Sequence, residues 1–147
     1  VINGANKLII KTKDNEIFEI TGIIDFDIDT DFAIIKISAN NLPILEIGES
    51  ENLEIGTKTI AIGNPHGLEH TVSDGIISQV RKVDNFSLIQ TTTPITFGSS
   101  GGPLLNLYAE VIGITTAGFE GSGNIGFAIP IHQLSVLSKD YLPIKYS

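Results

Sequence analysis

Cysteine is absent from the 147-residue sequence, and positive charge is scarce, with nine Lys and Arg against 17 Asp and Glu. The missing cysteine excludes a disulfide scaffold, a thiolate metal site and a cysteine nucleophile. The formal net charge of −8 argues against a nucleic-acid partner, because phosphate binding depends on clustered basic residues. Apolar runs such as residues 8–10 are far shorter than a membrane span.

Enough apolar residues are present to fill a core, since 41% of the chain is hydrophobic and 18% is charged. β-branched and aromatic residues dominate the apolar positions, and turn residues interrupt them about every eight to twelve positions, which is typical of an all-β sandwich or barrel. One short helix is predicted over 131–137, after Pro130. The predicted strands are 7–12, 16–25, 32–37, 57–63, 71–81, 87–92, 103–106, 110–116 and 124–129.

The segment Phe-Gly-Ser-Ser-Gly-Gly-Pro-Leu at 97–104 has the composition that a nucleophilic serine needs. Gly98 and Gly101 allow a tight turn and leave the hydroxyl between them open to a substrate. In such a turn the N–H groups of Gly98 and Ser100 can converge on one point about 3 Å away, where the oxygen of a tetrahedral intermediate would lie. We therefore predict Ser100 as the nucleophile. The alternative from these residues alone is an ordinary flexible loop.

Several segments in the same order resemble the HtrA/DegP type of trypsin-like serine protease. They are Asp-Phe-Ala-Ile-Ile-Lys-Ile at 31–37, Ala-Ile-Gly-Asn-Pro-His-Gly-Leu at 61–68, the serine segment with its flanks at 88–106, Glu-Val-Ile-Gly-Ile-Thr-Thr at 110–116 and Ile-Gly-Phe-Ala-Ile-Pro at 125–130. The resemblance covers nearly the whole chain.

This resemblance implies a double β-barrel with the active site between the two barrels. Residues 1–45 would be the remainder of an N-terminally truncated first barrel lobe. Residues 46–147 would be a complete second barrel lobe with a short C-terminal helix. We expect self-association through the incomplete first barrel, because unpaired strand edges and uncovered apolar faces favour contact with another chain.

A serine hydroxyl needs a base to take its proton and a third group to orient that base. Asp31 matches the family's orienting acid. None of the three histidines, His66, His70 and His132, occupies the family's position for the base. The opening Val-Ile-Asn-Gly-Ala at 1–5 is similar to the turn that follows the catalytic histidine in the family. We therefore expect the histidine to precede Val1, with a natural pseudoprotease as the alternative.

Specificity residues are also implied by the resemblance. The pocket for the side chain before the scissile bond would be formed by Ile95, Thr115, Thr116, Ala117 and Gly118. Pro94 stands where trypsin carries its acid, so a medium-sized apolar side chain is the expected preference. Ile95 could instead be an ordinary core residue, and residues 115–118 could pair with an extended substrate.

The sequence departs from the family's usual residues at three places. Thr92 and Thr93 stand in place of Asp-Ala, and Phe97 and Ser99 stand in place of Pro and Asn. Ala109 stands where a hairpin glycine is usual. These departures leave the shape of the oxyanion turn and of that hairpin to be found from the structure.

The functional expectation is a serine endopeptidase that hydrolyses peptides or unfolded proteins through an acyl-enzyme on Ser100, without metal or cofactor. The 147 residues alone are expected to be inactive, because the histidine base is missing from them. The alternative is a pseudoprotease or peptide-binding module that uses the same cleft without catalysis. A location outside the cytoplasm, or at a membrane, is implied by the resemblance only.

Overall fold

The structure is a computed structural model, and it describes residues 8–27, 32–64, 71–83, 86–116, 125–134 and 142–143. Strands make up nearly all of the regular structure in these ranges. The elements are β1 Ile9–Lys11, β2 Ile17–Asp27, β3 Phe32–Ile37, β4 Lys58–Gly63, β5 Thr71–Val83, β6 Phe86–Thr91, β7 Pro103–Leu105, β8 Val111–Thr116, β9 Gly126–Pro130, α1 Ile131–Leu134 and β10 Leu142–Pro143.

The chain divides into two compact units, one of residues 1–43 and 137–147 and the other of residues 44–136. In the first unit, strands β1, β3 and β10 all pair antiparallel with the long strand β2. The register between β2 and β3 shifts twice, between Ile20 and Gly22 and between Ile23 and Asp25. Such irregularities bend a strand and increase its twist, so β2 can pair with β1 near its start and with β3 over its later part.

The second unit is a closed antiparallel barrel with the strand order β4-β5-β6-β9-β8-β7. Its interior is filled by a cluster to which each strand contributes one buried residue. These residues are Ala61, Ile77, Ile89, Leu104, Ile112 and Ala128. Alternation of inward and outward side chains along each strand places them in the interior. The prediction of an all-β fold with a complete second barrel is confirmed.

Strand β10 is the one described element that the sequence does not predict, because its two residues are too few to show a period. Helix α1 begins after Pro130 as predicted, and residues 135–137 of the predicted helix lie outside the described residues. The N–H of His132 donates to the hydroxyl of Ser50 at 2.9 Å, which caps the start of α1 from a distant part of the barrel unit. No helix in the described ranges is long and apolar enough to cross a membrane.

The hairpin between β7 and β8 keeps the conformation that a glycine would favour, although Ala109 occupies the position. Ala109 has a φ of 61°, in the left-handed region. The side-chain oxygen of Asn106 accepts hydrogen bonds from the N–H groups of Tyr108 at 2.9 Å and Glu110 at 3.0 Å. These bonds hold the turn in place of glycine's conformational freedom.

Candidate active site

Ser100 lies in the connection between strands β6 and β7 of the barrel unit, and its side chain is exposed. Two consecutive β-turns build this connection. The N–H of Ser99 donates to the carbonyl of Thr96 at 2.9 Å, and the N–H of Gly102 donates to the carbonyl of Ser99 at 3.0 Å. Ser100 is therefore the second residue of the second turn.

Both turns have a glycine with positive φ at the third position, with 96° at Gly98 and 87° at Gly101. Phe97 and Ser100, at the second positions, are not among the residues with positive φ. This combination defines a type II turn and explains why glycine is needed at the third position. The replacement of the family's usual residues by Phe97 and Ser99 thus coexists with a regular double turn.

The double turn leaves two backbone N–H donors close to the Ser100 side chain in the sequence, those of Gly98 and of Ser100 itself. Within the described ranges, no protein group accepts a hydrogen bond from the N–H of Gly98 or of Ser100. An oxyanion hole requires such N–H donors, held in position by the backbone and free to bond the oxyanion.

Thr115 in β8 supports the double turn through hydrogen bonds. Its hydroxyl donates to the carbonyl of Gly102 at 3.1 Å and also to the carbonyl of Ser99. Its own N–H donates to Gly102 and its carbonyl accepts from Gly101, both at 2.8 Å. The Thr115 side chain is 2% exposed, so it supports the nucleophile turn from the barrel interior. Sequence reasoning missed this role, and nothing in the local pattern Ile-Thr-Thr signals it.

Strand β4 packs directly against the other side of the turn. A Cβ at Gly63 would lie 2.9 Å from the Cα of Ser99, and a Cβ at Gly102 would lie 2.3 Å from the carbonyl oxygen of Ile62. A depression of about 240 Å³ opens here, lined by the end of β4 and by Gly98, Ser99 and Ser100. Ser100 therefore lies beside a small cavity formed by its own turn and β4.

Replacing Gly102 with alanine is expected to destabilise the protein by about 3 kcal/mol, because the new methyl group would overlap backbone that cannot move freely. Gly101→Ala is the matched control, since a Cβ there meets nothing within 4 Å and only the positive φ is penalised, at about 1–2 kcal/mol. Denaturant unfolding of the two variants gives the comparison. Equal losses would show that the turn is not packed tightly on β4.

The other predicted site residues divide into those that the structure describes and those that it does not. Ile95 is buried at 8% exposure, and Thr116 is half-buried at the end of β8. Asp31, Ala117 and Gly118 lie outside the described residues, as do the predicted histidine-adjacent turn at 1–5 and the histidines His66 and His70.

His132 is the one histidine within the described ranges. Its Nδ1 lies 2.8 Å from the hydroxyl of Ser50, which is 4% exposed. This ring nitrogen is therefore engaged at the start of α1.

Comparison with known proteins gives consistent matches over most of the chain. The sequence model of the trypsin-like peptidase domain matches residues 1–114. A probable periplasmic DegP-like serine endoprotease of Chlamydia muridarum is 47% identical in an alignment of 138 positions, and the match covers 88% of this chain and 28% of that protein. The putative serine protease HhoA of Synechocystis is 40% identical in an alignment of 147 positions, and the match covers 93% of this chain and 37% of that protein.

Solved structures agree. The HtrA-type protease AlgW with a decapeptide superposes with a TM-score of 0.84 at 37% identity, covering 92% of this chain and 44% of AlgW. The serine endoprotease from Yersinia pestis superposes with a TM-score of 0.83 at 39% identity, covering 92% of this chain and 48% of that one. The chain thus spans less than half the length of each of these relatives. With these matches on both sequence and fold, the chain belongs to the trypsin-like peptidase domain family, within which its relatives are HtrA- and DegP-type serine proteases.

Proposed function

We propose that this chain is the catalytic domain of a serine endopeptidase that acts through an acyl-enzyme on Ser100. The observation that carries the proposal is the double type II turn, which presents an exposed Ser100 between two glycines and beside two N–H donors that have no acceptor in the described part of the chain. A flexible loop would not have both turns closed by hydrogen bonds and supported by the buried Thr115.

In the proposed mechanism, the Oγ of Ser100 attacks the carbonyl carbon of the scissile peptide bond while a histidine takes the hydroxyl proton. The N–H groups of Gly98 and Ser100 donate to the resulting oxyanion. Collapse of the intermediate breaks the C–N bond, and the histidine returns the proton to the departing amine. Water then attacks the ester, which releases the carboxylate product and restores Ser100. No metal or cofactor takes part, and Asp31 would orient the histidine.

The base is proposed to come from outside these 147 residues. Of the chain's three histidines, His132 has a ring nitrogen engaged with Ser50, and His66 and His70 match no catalytic position of the resembled family. A polypeptide of these 147 residues alone is therefore proposed to be inactive. We refer below to the extended polypeptide, meaning these residues together with the proposed upstream segment that carries the histidine.

For the substrate, we propose peptides or unfolded proteins with a medium-sized apolar side chain before the scissile bond. Ile95, Thr116, Ala117 and Gly118 would form the pocket. Thr115 belongs to the same predicted set, but its hydroxyl and its backbone N–H and carbonyl are bonded to the nucleophile turn. Pairing with an extended peptide is therefore proposed for the residues after Thr115. The decapeptide that accompanies AlgW in its solved structure supports a peptide ligand for this chain.

The relatives named periplasmic endoproteases support a proposed location outside the cytoplasm. Self-association through the first unit also stays a proposal.

Reaction of the extended polypeptide with a fluorophosphonate tests the function. Rapid covalent labelling together with loss of peptide hydrolysis is the expected result, since the probe reacts with activated serines. A protein that binds apolar peptides but is not labelled would instead favour the peptide-binding module.

A further inference from the structure

Three threonine hydroxyls meet in the interior of the barrel unit, away from the reacting serine. Thr59, Thr91 and Thr93 are each 0% exposed. The Oγ1 of Thr59 lies 2.7 Å from that of Thr93 and 3.1 Å from that of Thr91, and the Oγ1 of Thr91 lies 2.9 Å from that of Thr93. Buried hydroxyls are costly unless they are hydrogen-bonded, so this cluster needs an explanation.

The direction of hydrogen-bond donation is fixed at one end of the cluster. The Oγ1 of Thr91 lies 2.8 Å from the carbonyl oxygen of Ile76, which can only accept, so the hydroxyl of Thr91 donates there. The backbone N–H of Thr93 donates to the Oγ1 of Thr91 at 3.0 Å. The remaining protons, of Thr59 and Thr93, can then both be satisfied within the cluster. All three hydroxyls form one chain that ends on Ile76.

Thr93 of this cluster is the first residue of the segment 93–99, which leads to Ser100. A Cβ at Gly75 would lie 2.3 Å from the nitrogen of Thr93, and a Cβ at Gly126 would lie 2.7 Å from the Cδ1 of Ile95 and 2.8 Å from the carbonyl of Thr93. Strands β5 and β9 therefore contact the segment closely through two glycines. Strand β5 also donates hydrogen bonds to the residues beside Thr93, from the hydroxyl of Ser73 to the carbonyl of Pro94 at 2.9 Å and from the N–H of Ile76 to the hydroxyl of Thr92 at 3.0 Å. The hydroxyl of Thr93 adds an anchor directed into the barrel interior.

Strand β4 contacts this segment at both ends. It supplies Thr59, whose hydroxyl holds Thr93, and Gly63, whose backbone packs against Ser99. Residues 93–99 are thus aligned along one strand, and Ile95 lies between the two contacts. Thr93 is also a position where the sequence departs from the resembled family.

We infer that Thr93 is a positioning residue whose hydroxyl, tied to Thr59 and Thr91, fixes Ile95 and thereby sets which substrate side chain is accepted. This inference rests on the proposed function. Ile95 is the only residue through which Thr93 is taken to act, and Thr93 itself is too deeply buried to touch substrate.

The test uses the extended polypeptide and two fluorogenic peptides that differ only in Val or Phe before the scissile bond. Thr93→Val keeps the volume and removes the hydroxyl. It is expected to change the ratio of the two kcat/KM values by about threefold or more, because a small displacement of a pocket wall alters discrimination by side-chain size. Thr93→Ser keeps the hydroxyl and is expected to preserve the ratio. A smaller folded fraction would lower both rates equally, so the ratio separates positioning from stability.

Two further variants sharpen the test. Thr59→Val removes the hydroxyl oxygen that lies 2.7 Å from that of Thr93, and it should shift the ratio in the same direction. It decides the question if Thr93→Val does not fold. Thr57→Val is the control in the same barrel and should leave the ratio unchanged.

An unchanged ratio in Thr59→Val and Thr93→Val would overturn the inference while the proposed function stands. Absence of hydrolysis by the unmutated extended polypeptide would overturn the proposed function, and the inference with it.

Discussion

Ser100→Ala in the extended polypeptide is expected to lower the kcat for peptide hydrolysis by about 10⁶-fold, the loss that follows removal of a triad serine. The Oγ of Ser100 is the atom that would form the acyl ester, and alanine has no atom to replace it. Because Ser100 is exposed, the thermal midpoint of unfolding should stay within about 2 °C of the original. Steady-state rates with a fluorogenic peptide and a thermal melt measure both quantities.

Ser99→Ala is the matched control for this variant. Ser99 contributes its backbone carbonyl to Gly102 and Thr115, and alanine keeps that carbonyl. Its kcat is expected to stay within about tenfold of the original, since surrounding hydrogen bonds are retained. A Ser100→Ala protein that kept activity within the same range would show that Ser100 is not the nucleophile.

The second large effect on the hydrolysis rate is expected when the segment that carries the proposed histidine base is left out. The 147-residue polypeptide should hydrolyse peptides about 10⁶-fold more slowly than the extended polypeptide, as when a triad histidine is removed. Ser100 would then lack a group to take its proton, although its turn would be unchanged. Parallel rate measurements on the two polypeptides, at equal folded concentration, give the ratio.

A matched variant identifies the base. Replacing the proposed upstream histidine with alanine should reduce the rate of the extended polypeptide to that of the 147-residue form. His132→Ala should not, because the ring of His132 is engaged with Ser50. Equal activity of the two unmutated polypeptides would contradict the proposal that the base lies outside these residues.

The strands of the barrel unit could be predicted from the sequence because β-branched and aromatic residues dominate the apolar positions and turn residues separate the runs. Strand β8, for example, is predicted as 110–116 and observed as Val111–Thr116. The closure of the six strands into a barrel depends on pairings between distant segments, such as β4 with β7. The resemblance to a known family predicted that closure, and periodicity alone could not.

For the double turn at Ser100, too, one part could be predicted from the sequence and another part could not. Glycines at 98 and 101 predict a tight turn around Ser100, and the structure has positive φ at both. The support from Thr115 and the bonds of Thr59 to Thr91 and Thr93 could not be predicted, because these contacts join residues 13 to 34 positions apart and threonine is also common on exposed strand faces. The role of Asp31 stays a prediction.

The central claim is that Ser100 is the residue acylated by substrate. Peptide mapping by mass spectrometry of the fluorophosphonate-treated extended polypeptide tests it most directly. We expect a single adduct on Ser100 that is absent from Ser100→Ala. An adduct on another serine, or labelling that persists in Ser100→Ala, would contradict it.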